Sequence, residues 1–275
     1  MQVQKLIPVT LAAVLGVGLG AALGTPAAAQ SNRIVVPLSH PSQPATVRAS
    51  TLNGAIVVRA YNGDQVIIVA RGRGADHSGS VPPGMHQLNA SPGVSASEDN
   101  NVINVHFSIF NGGNERLVIQ VPVHSSLRLT AVSGLVEVVG VTGDISAENT
   151  NGAIRLENVS GSVVASAVNG TITASIAHLD ETKPSSFSSM NGVINVTLPP
   201  SAHADLSLKT VEGSIYMDNG FNFQQTPVPG PESARGNNGM FRIRVNRTVA
   251  GTLNGGGPQI RVQNFNGSIY IHKGQ

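Results

Sequence analysis

The chain has 275 residues, with 17 Lys and Arg, 15 Asp and Glu, and no Cys. Charged residues make up only 12% of it, while Gly, at 31 residues, is enriched. This composition excludes a disordered polyelectrolyte and a helical bundle, and the glycines lack the triplet period of collagen. It is typical of a β protein, and the absence of Cys excludes disulfides and thiol chemistry.

The first thirty residues predict a secretory signal peptide. A basic residue precedes an apolar run over 6–23, and Ala27 and Ala29 form the small-residue pattern that signal peptidase recognises. We predict a signal peptide over 1–29, cleavage after Ala29, and one domain over 30–275. An uncleaved anchor helix is the alternative, but a run of about 18 residues is at the lower limit for a membrane span.

Cleavage would remove Lys5 and leave 16 basic and 15 acidic residues, a net charge of +1. So small an excess predicts no nucleic-acid partner. No second apolar run of comparable length follows residue 30, which predicts no stable membrane span after cleavage. We therefore expect an exported protein, located in the periplasm, in the cell envelope or outside the cell.

Short strands and loops alternate along the mature chain. An Asn-Gly unit at 53–58 opens it, and residues 71–100, rich in Gly, Pro, Ser and Asn, are predicted to form a long surface loop. The apolar run 117–123 predicts a strand that leads into a series of repeats.

Glycine then recurs every nine residues. The repeated glycines are Gly134, Gly143, Gly152, Gly161 and Gly170. Ser, Thr or Asn precedes each of them, and a β-branched residue follows two positions later. Positions +2 and +4 share one face of a short strand, so both are predicted to point inward. Position +7 is predicted to turn inward after the next corner, and each Gly supplies the positive φ of a corner.

The pattern is more regular over two consecutive repeats, which gives two strands per turn. Val138 and Leu156 at position +4 alternate with Ala147 and Ala165, and this double-repeat period would place Glu137 beside Arg155. This arrangement predicts a β-solenoid, a β-helix-like fold with nine-residue half-coils and Gly corners. A meander of antiparallel hairpins with Asn-Gly turns is the alternative.

Similar units follow the regular repeats at 191–196, 212–217 and 266–271. Two further stretches interrupt them and are predicted as loops, at 178–189 and 218–239. The second contains three prolines together with Phe221 and Phe223. Exposed aromatic rings in a loop can anchor a partner, so these two residues are our candidate partner contacts. Capping the open end of the solenoid is the favoured alternative role.

The run Leu117–Pro122 followed by Leu127–Gly134 resembles a bacterial family known as the "putative adhesin" family, a domain of unknown function with tandem Ser-Gly or Asn-Gly β repeats. The segments 190–199, 204–210, 255–262 and 266–271 are also similar to it, so the resemblance covers about 45–275. The resemblance implies a β-helix-like fold and export to the cell envelope. It implies no catalytic residues.

A carbohydrate-active right-handed β-helix enzyme, a polysaccharide lyase or hydrolase, is the alternative function. Such a site needs acids and bases on adjacent coils. Between 131 and 176 the acidic residues are Glu137, Asp144, Glu148 and Glu157, and the double-repeat period places no two of them side by side. We therefore expect no enzyme activity, no cofactor and no metal, and a function in binding a surface polymer or a protein.

Overall fold

Backbone pairing between β-strands organises the described part of the chain. The computed structural model describes residues 33–71, 93–108, 116–227, 232–235, 241–244 and 248–275, and they belong to the compact unit Asn32–Gln275. The predicted signal peptide lies outside the described residues. The strands are β1 (Arg33–Pro37), β2 (Ala45–Asn53), β3 (Ala55–Tyr61), β4 (Gln65–Arg71), β5 (Gly93–Asp99), β6 (Val102–Ser108), β7 (Arg116–Pro122), β8 (Ser125–Ser133), β9 (Val136–Val139), β10 (Ile145–Asn151), β11 (Ile154–Gly161), β12 (Val163–Asn169), β13 (Ile172–Leu179), β14 (Ser185–Asn191), β15 (Ile194–Leu198), β16 (Ala204–Glu212), β17 (Ile215–Met217), β18 (Phe223–Thr226), β19 (Glu232–Arg235), β20 (Phe241–Arg244), β21 (Thr248–Leu253), β22 (Gln259–Asn266) and β23 (Ile269–Lys273).

Two mixed sheets contain most of these strands. Sheet A has the order β1-β4-β7-β3-β9-β11-β13-β15-β23-β17, and sheet B has the order β18-β21-β16-β22-β14-β12-β10-β8-β2-β6-β5. Strands β19 and β20 form a separate antiparallel pair. The prediction of an all-β protein is confirmed.

Successive strands from β8 to β15 alternate between the two sheets, and from β10 onward each pairs in parallel with the strand two places earlier. Ile154 lies opposite Val136 on one side and Ile172 on the other, so the register step equals two repeats. The predicted period is therefore confirmed, and the antiparallel meander is wrong for this segment.

Spatial order differs from chain order at both ends. We call a pair of successive strands, one in each sheet, a layer. The layer β2/β3 lies between β6/β7 and β8/β9, and the last layer, β22/β23, lies between β14/β15 and β16/β17. Antiparallel strands then cover three of the four outermost parallel strands: β4 pairs with β7, β5 with β6, and β21 with β16, whereas β17 ends sheet A. Pairing of this kind protects the edges of a sheet.

The core lies between the inner faces of the two sheets. Alternate side chains of each strand point into it, as the period of two requires. At position +2 of sheet A, Val136, Ile154, Ile172, Ile194 and Ile269 are all fully buried. Ala147 and Ala165 of sheet B are buried in the same core as Val138 and Leu156 of sheet A, as predicted for position +4.

Position +7 does not point inward in every repeat, and Ala177 is only half-buried. Val141 and Val159 are fully buried, but Val168 is 39% exposed and Thr150 is also exposed, so the prediction is wrong for these two. In β11 the register shifts after Leu156, where Asn158 has a φ of +51°. This irregularity changes which residues of β11 face the core, whereas β12 continues its alternation.

Three predicted loops are shorter than expected. Within 71–100, residues 93–99 form β5, while residues 72–92 lie outside the described residues. Within 178–189, β13 continues to Leu179 and β14 begins at Ser185. Within 218–239, β18 and β19 are strands. The Ser-rich sequence of β14 hid its alternation, because Ser185 and Ser189 point inward beside the fully buried Phe187.

Candidate binding surfaces

Close contact between glycines fixes the corner where the strands of sheet B end. Gly152 has a φ of +146°, and a Cβ atom there would clash with the carbonyl oxygen of Gly134 in the preceding layer. The corner therefore requires Gly for two reasons, a positive φ and the approach of a neighbouring backbone. The stacking also brings the preceding side chains together: Asn169 Nδ2 donates to Asn151 Oδ1, and Asn191 Nδ2 donates to Asn169 Oδ1, both at 2.9 Å.

A row of exposed apolar side chains runs along this corner. Each member lies on the outer face of sheet B, two residues before a corner glycine. The residues on either side of it pair in register with those of the neighbouring strands, so the members line up across the sheet. We call this row the apolar stripe, and it consists of Leu52, Val132, Val168, Met190 and Phe265, with Thr150 in line in β10. Their exposed fractions run from 39% for Val132 and Val168 to 72% for Leu52.

The apolar stripe is about 24 Å long, since it crosses six strands that are each about 4.8 Å from the next. Val211 of β16 continues the row in register. Isolated exposed apolar residues are common on protein surfaces, whereas several of them grouped in one row are typical of an interaction surface.

A groove of about 320 Å³ lies on the same outer face, at the other end of the strands. Its polar lining comprises Thr46, Arg48, Ser126, Arg128, Asp144, Ser146 and Ser162. Arg48 and Arg128 lie directly opposite each other in the parallel register of β2 and β8. We call this site the arginine groove.

Lys183 neutralises the carboxylate of the arginine groove. Its Nζ donates to Asp144 Oδ1 at 3.0 Å and to Oδ2 at 2.9 Å, and these bonds raise the pKa of Lys183. The short connection between β13 and β14 carries this lysine. Asp180 stabilises the connection by accepting hydrogen bonds from Thr182, which lower the pKa of Asp180.

The outer face of sheet A differs, because two of its arginines have acidic neighbours. Arg59 pairs with Glu137 at 3.1 Å, and Arg155 approaches Glu157 at 3.8 Å. The register does place Glu137 opposite Arg155, as predicted, but the carboxylate of Glu137 contacts Arg59 of the strand on its other side.

Aromatic rings also meet on the outer face of sheet A. Tyr216 and Tyr270 stack with ring centroids 5.0 Å apart, and the Tyr270 ring is parallel to that of His272. His272 Nδ1 lies 3.5 Å from Asp218 Oδ1. Both tyrosines occupy the outward position +3 of their units, so the Gly spacing places them side by side.

Phe221 and Phe223, the candidate partner contacts, are half-buried and pack against the hydrophobic core. Phe223 belongs to β18, which pairs with β21, and its ring lies over Gly251. This is the position expected of a cap at the end of sheet B. Contact between these rings and a partner stays a prediction.

Acidic groups are sparse in the described surface. The arginine groove contains one carboxylate, Asp144. The described residues contain no cluster of three or more His, Asp or Glu with the arrangement of a metal site. They also include no helix that is long and apolar enough to cross a membrane.

The sequence interpretation missed both surfaces on sheet B. The signal for the apolar stripe is an apolar residue two positions before successive corner glycines, a position that the repeat pattern assigned to the interior at Val168. The signal for the arginine groove is weaker, because Arg48 and Arg128 are distant in the sequence and become neighbours only through the order of the layers.

No family model and no curated protein matches the chain. Two solved structures are similar to it. One is described as a putative cell adhesion protein from Clostridium sporogenes, with 9% identity and a TM-score of 0.42, covering 89% of this chain and 100% of its own. The other is described as a putative adhesin from Bacteroides fragilis, with 10% identity and a TM-score of 0.36, covering 88% and 95%. Likeness at these values does not decide the function of this chain.

Proposed function

We propose that the protein is a non-catalytic, exported β-solenoid that binds a surface outside itself, in the manner of an adhesin. The apolar stripe is the observation that carries this proposal. Exposing five large apolar side chains in one row costs solubility, and a covering partner would recover the free energy of their burial.

Scaffold and site are consistent with this role. The parallel register, with its step of two repeats, makes the outer face of sheet B long and regular, and the corner glycines hold each stripe residue at the same position in its layer. A rigid scaffold reduces the entropy that binding would otherwise cost, because the contact residues are already ordered. The sequence resemblance stated above points to the same role.

Export by the signal peptide belongs to the same proposal. It requires the mature chain to begin at Gln30, which intact-mass measurement of protein from the envelope or the medium would test. A chain that keeps Met1 in those fractions would contradict the predicted cleavage.

Adsorption of the exported protein to bacterial cells tests the binding role. The variant Met190→Ser/Phe265→Ser removes two stripe residues that are each 54% exposed, and we expect it to lose most of the adsorption. Because neither side chain belongs to the core, thermal unfolding should change little.

A matched pair of valines controls for the loss of exposed apolar area. Val168, in the stripe, is 39% exposed, and Val35, in β1 of sheet A, is 45% exposed. We expect Val168→Thr to weaken adsorption and Val35→Thr to leave it unchanged. Equal effects would refute the stripe as the contact surface. If the stripe variants changed only the self-association of the protein, the stripe would be an interface between copies of the chain.

A further inference from the structure

Two arginines are placed side by side in the arginine groove without a counter-ion. Arg48 and Arg128 are both exposed, and neither has an ion pair among the described residues. Like charges directly opposite each other on neighbouring strands destabilise a sheet. The folded protein therefore carries a local repulsion that an anionic ligand would relieve.

Charges around the groove leave a positive excess. Arg48, Arg128 and Lys183 supply three positive charges, and Asp144 supplies one negative charge, which leaves +2. Lys183 contacts both oxygens of Asp144, so this carboxylate already has a partner. The two guanidinium groups stay available to a ligand.

Guanidinium groups recognise planar oxyanions, because their N–H groups form a fork that matches the two oxygens of a carboxylate. The remaining polar lining consists of the hydroxyl groups of Thr46, Ser126, Ser146 and Ser162. Hydroxyl groups both donate and accept hydrogen bonds, as sugar hydroxyls do. Together these groups match a sugar ring that bears a carboxylate.

We propose that the arginine groove binds an acidic sugar residue of a surface polysaccharide. The sugar carboxylate contacts Arg48 and Arg128, and its hydroxyls contact the serine and threonine side chains along the groove. The inference rests on the proposed binding function, but it uses residues outside the apolar stripe. A nucleic acid fits less well, because its binding draws on many phosphate contacts along the backbone, whereas the groove offers two free guanidinium groups.

Calorimetric titration of the exported protein with three acidic oligosaccharides tests the proposal. The probes are oligomers of galacturonate, alginate and hyaluronan, each compared with its methyl ester, which keeps the sugar and removes the charge. We expect at least one acidic oligosaccharide to bind and its ester to bind at least about tenfold more weakly. High salt should lower the affinity for the acidic oligosaccharide.

Arginine variants locate the site. Arg48→Gln and Arg128→Gln should each weaken binding at least about tenfold, whereas Arg261→Gln should leave it within about twofold. Arg261 is an exposed arginine on the same face, outside the groove. Since each groove variant removes a repulsion, its melting temperature should not fall at low salt. Arg128→Lys keeps the charge without the fork and should give an intermediate affinity.

The proposal would be overturned if the protein bound none of the three acids. Equal affinity for an acid and its ester would also overturn it. Unchanged affinity in both groove variants would also overturn it. Tighter binding to anionic lipid vesicles or to single-stranded DNA would assign the groove to another class of ligand. If stripe variants lose cell adsorption while groove variants bind the acids like the parent, the groove inference alone fails.

Discussion

Asn149 Nδ2 donates a hydrogen bond of 2.8 Å to the carbonyl oxygen of Gly134, from a side chain that is 3% exposed. Asn264 repeats this contact with the carbonyl oxygen of Gly192 at 2.7 Å, in a different layer. The buried amides thus bind the corner carbonyls from inside, while the exposed Asn151, Asn169 and Asn191 connect the same corners outside. The register of the apolar stripe depends on these corners.

Asn149→Ala should therefore lower the free energy of unfolding by about 1–3 kcal/mol, because it leaves a corner carbonyl without this donor. Alanine itself fits the space, since Ala167 occupies the same register position in the next layer. Asn149→Ser should lose less, because Ser189 makes the equivalent contact with Gly170. Urea unfolding gives the free energy of unfolding of the parent and of both variants. Equal values for the alanine variant and the parent would show that the contact contributes nothing.

The free energy of unfolding should depend strongly on the buried side chains at the inward position +2. Ile154→Asp removes a fully buried side chain, at a cost of about 2–5 kcal/mol, and adds an unpaired buried charge. Since domains are commonly stable by about 5–15 kcal/mol, much of this variant should be unfolded. Asn195→Asp, at the outward position +3, should change little. Circular dichroism melts compare them, and a parent-like melt for Ile154→Asp would show the assignment of faces to be wrong.

Part of the fold was predictable because the repeat encodes local geometry. Gly134 and Gly152 specify a corner at every second repeat on the same side of the sheets, and the register of Glu137 with Arg155 follows from that spacing. The place of β22/β23 was not predictable, because Asn266-Gly267 has the same corner sequence as Asn191-Gly192. Each unit encodes its own corner, whereas its neighbour in space is chosen by contacts far apart in the chain.

The candidate surfaces were less predictable than the strands. A strict period places Val168 inside, and the shift at Asn158 that makes the two halves of a layer different has no clear sequence signal. Arg48 and Arg128 become neighbours only after the layer β2/β3 is placed beside β8/β9. Recognition residues depend on the order of the layers, so the repeat pattern alone does not show them.

Steric contact, and not only a positive φ, should make the corner glycines irreplaceable. Gly152→Ala forces a Cβ atom against the carbonyl oxygen of Gly134, whereas Gly255 has a φ of +95° with no atom within 4 Å of its added Cβ. Gly255→Ala should cost about 1–2 kcal/mol from its backbone conformation alone. Gly152→Ala should cost about 1–3 kcal/mol more, as overpacking does. Equal losses in urea unfolding would show that the layers adjust freely at their corners.

Acid should weaken the end of sheet B near β5 through Glu98. Its Oε1 accepts hydrogen bonds from the backbone N–H groups of Asn101 at 2.9 Å and Ser39 at 3.1 Å, and its Oε2 accepts one from the Ser39 hydroxyl at 2.9 Å. These bonds, that from Asn101 first, lower the pKa of Glu98. A lowered pKa means that the folded state favours the carboxylate. Its contribution to stability is therefore complete above the ordinary glutamate pKa of about 4.3 and is lost as the pH falls through the lower folded-state value.

Glu98→Gln tests this pH dependence, because glutamine keeps the size of the side chain without its charge. We expect the parent to lose more stability than Glu98→Gln as the pH falls from neutral to below the ordinary glutamate pKa, since the variant has already lost the charged acceptor. Glu212→Gln is the control, because its carboxylate makes no hydrogen bond within the described part of the chain, and its profile should follow that of the parent. Melting temperatures across this range measure the effect. Parallel profiles for the parent and Glu98→Gln would mean that the contacts of Glu98 with Ser39 and Asn101 do not stabilise the folded state.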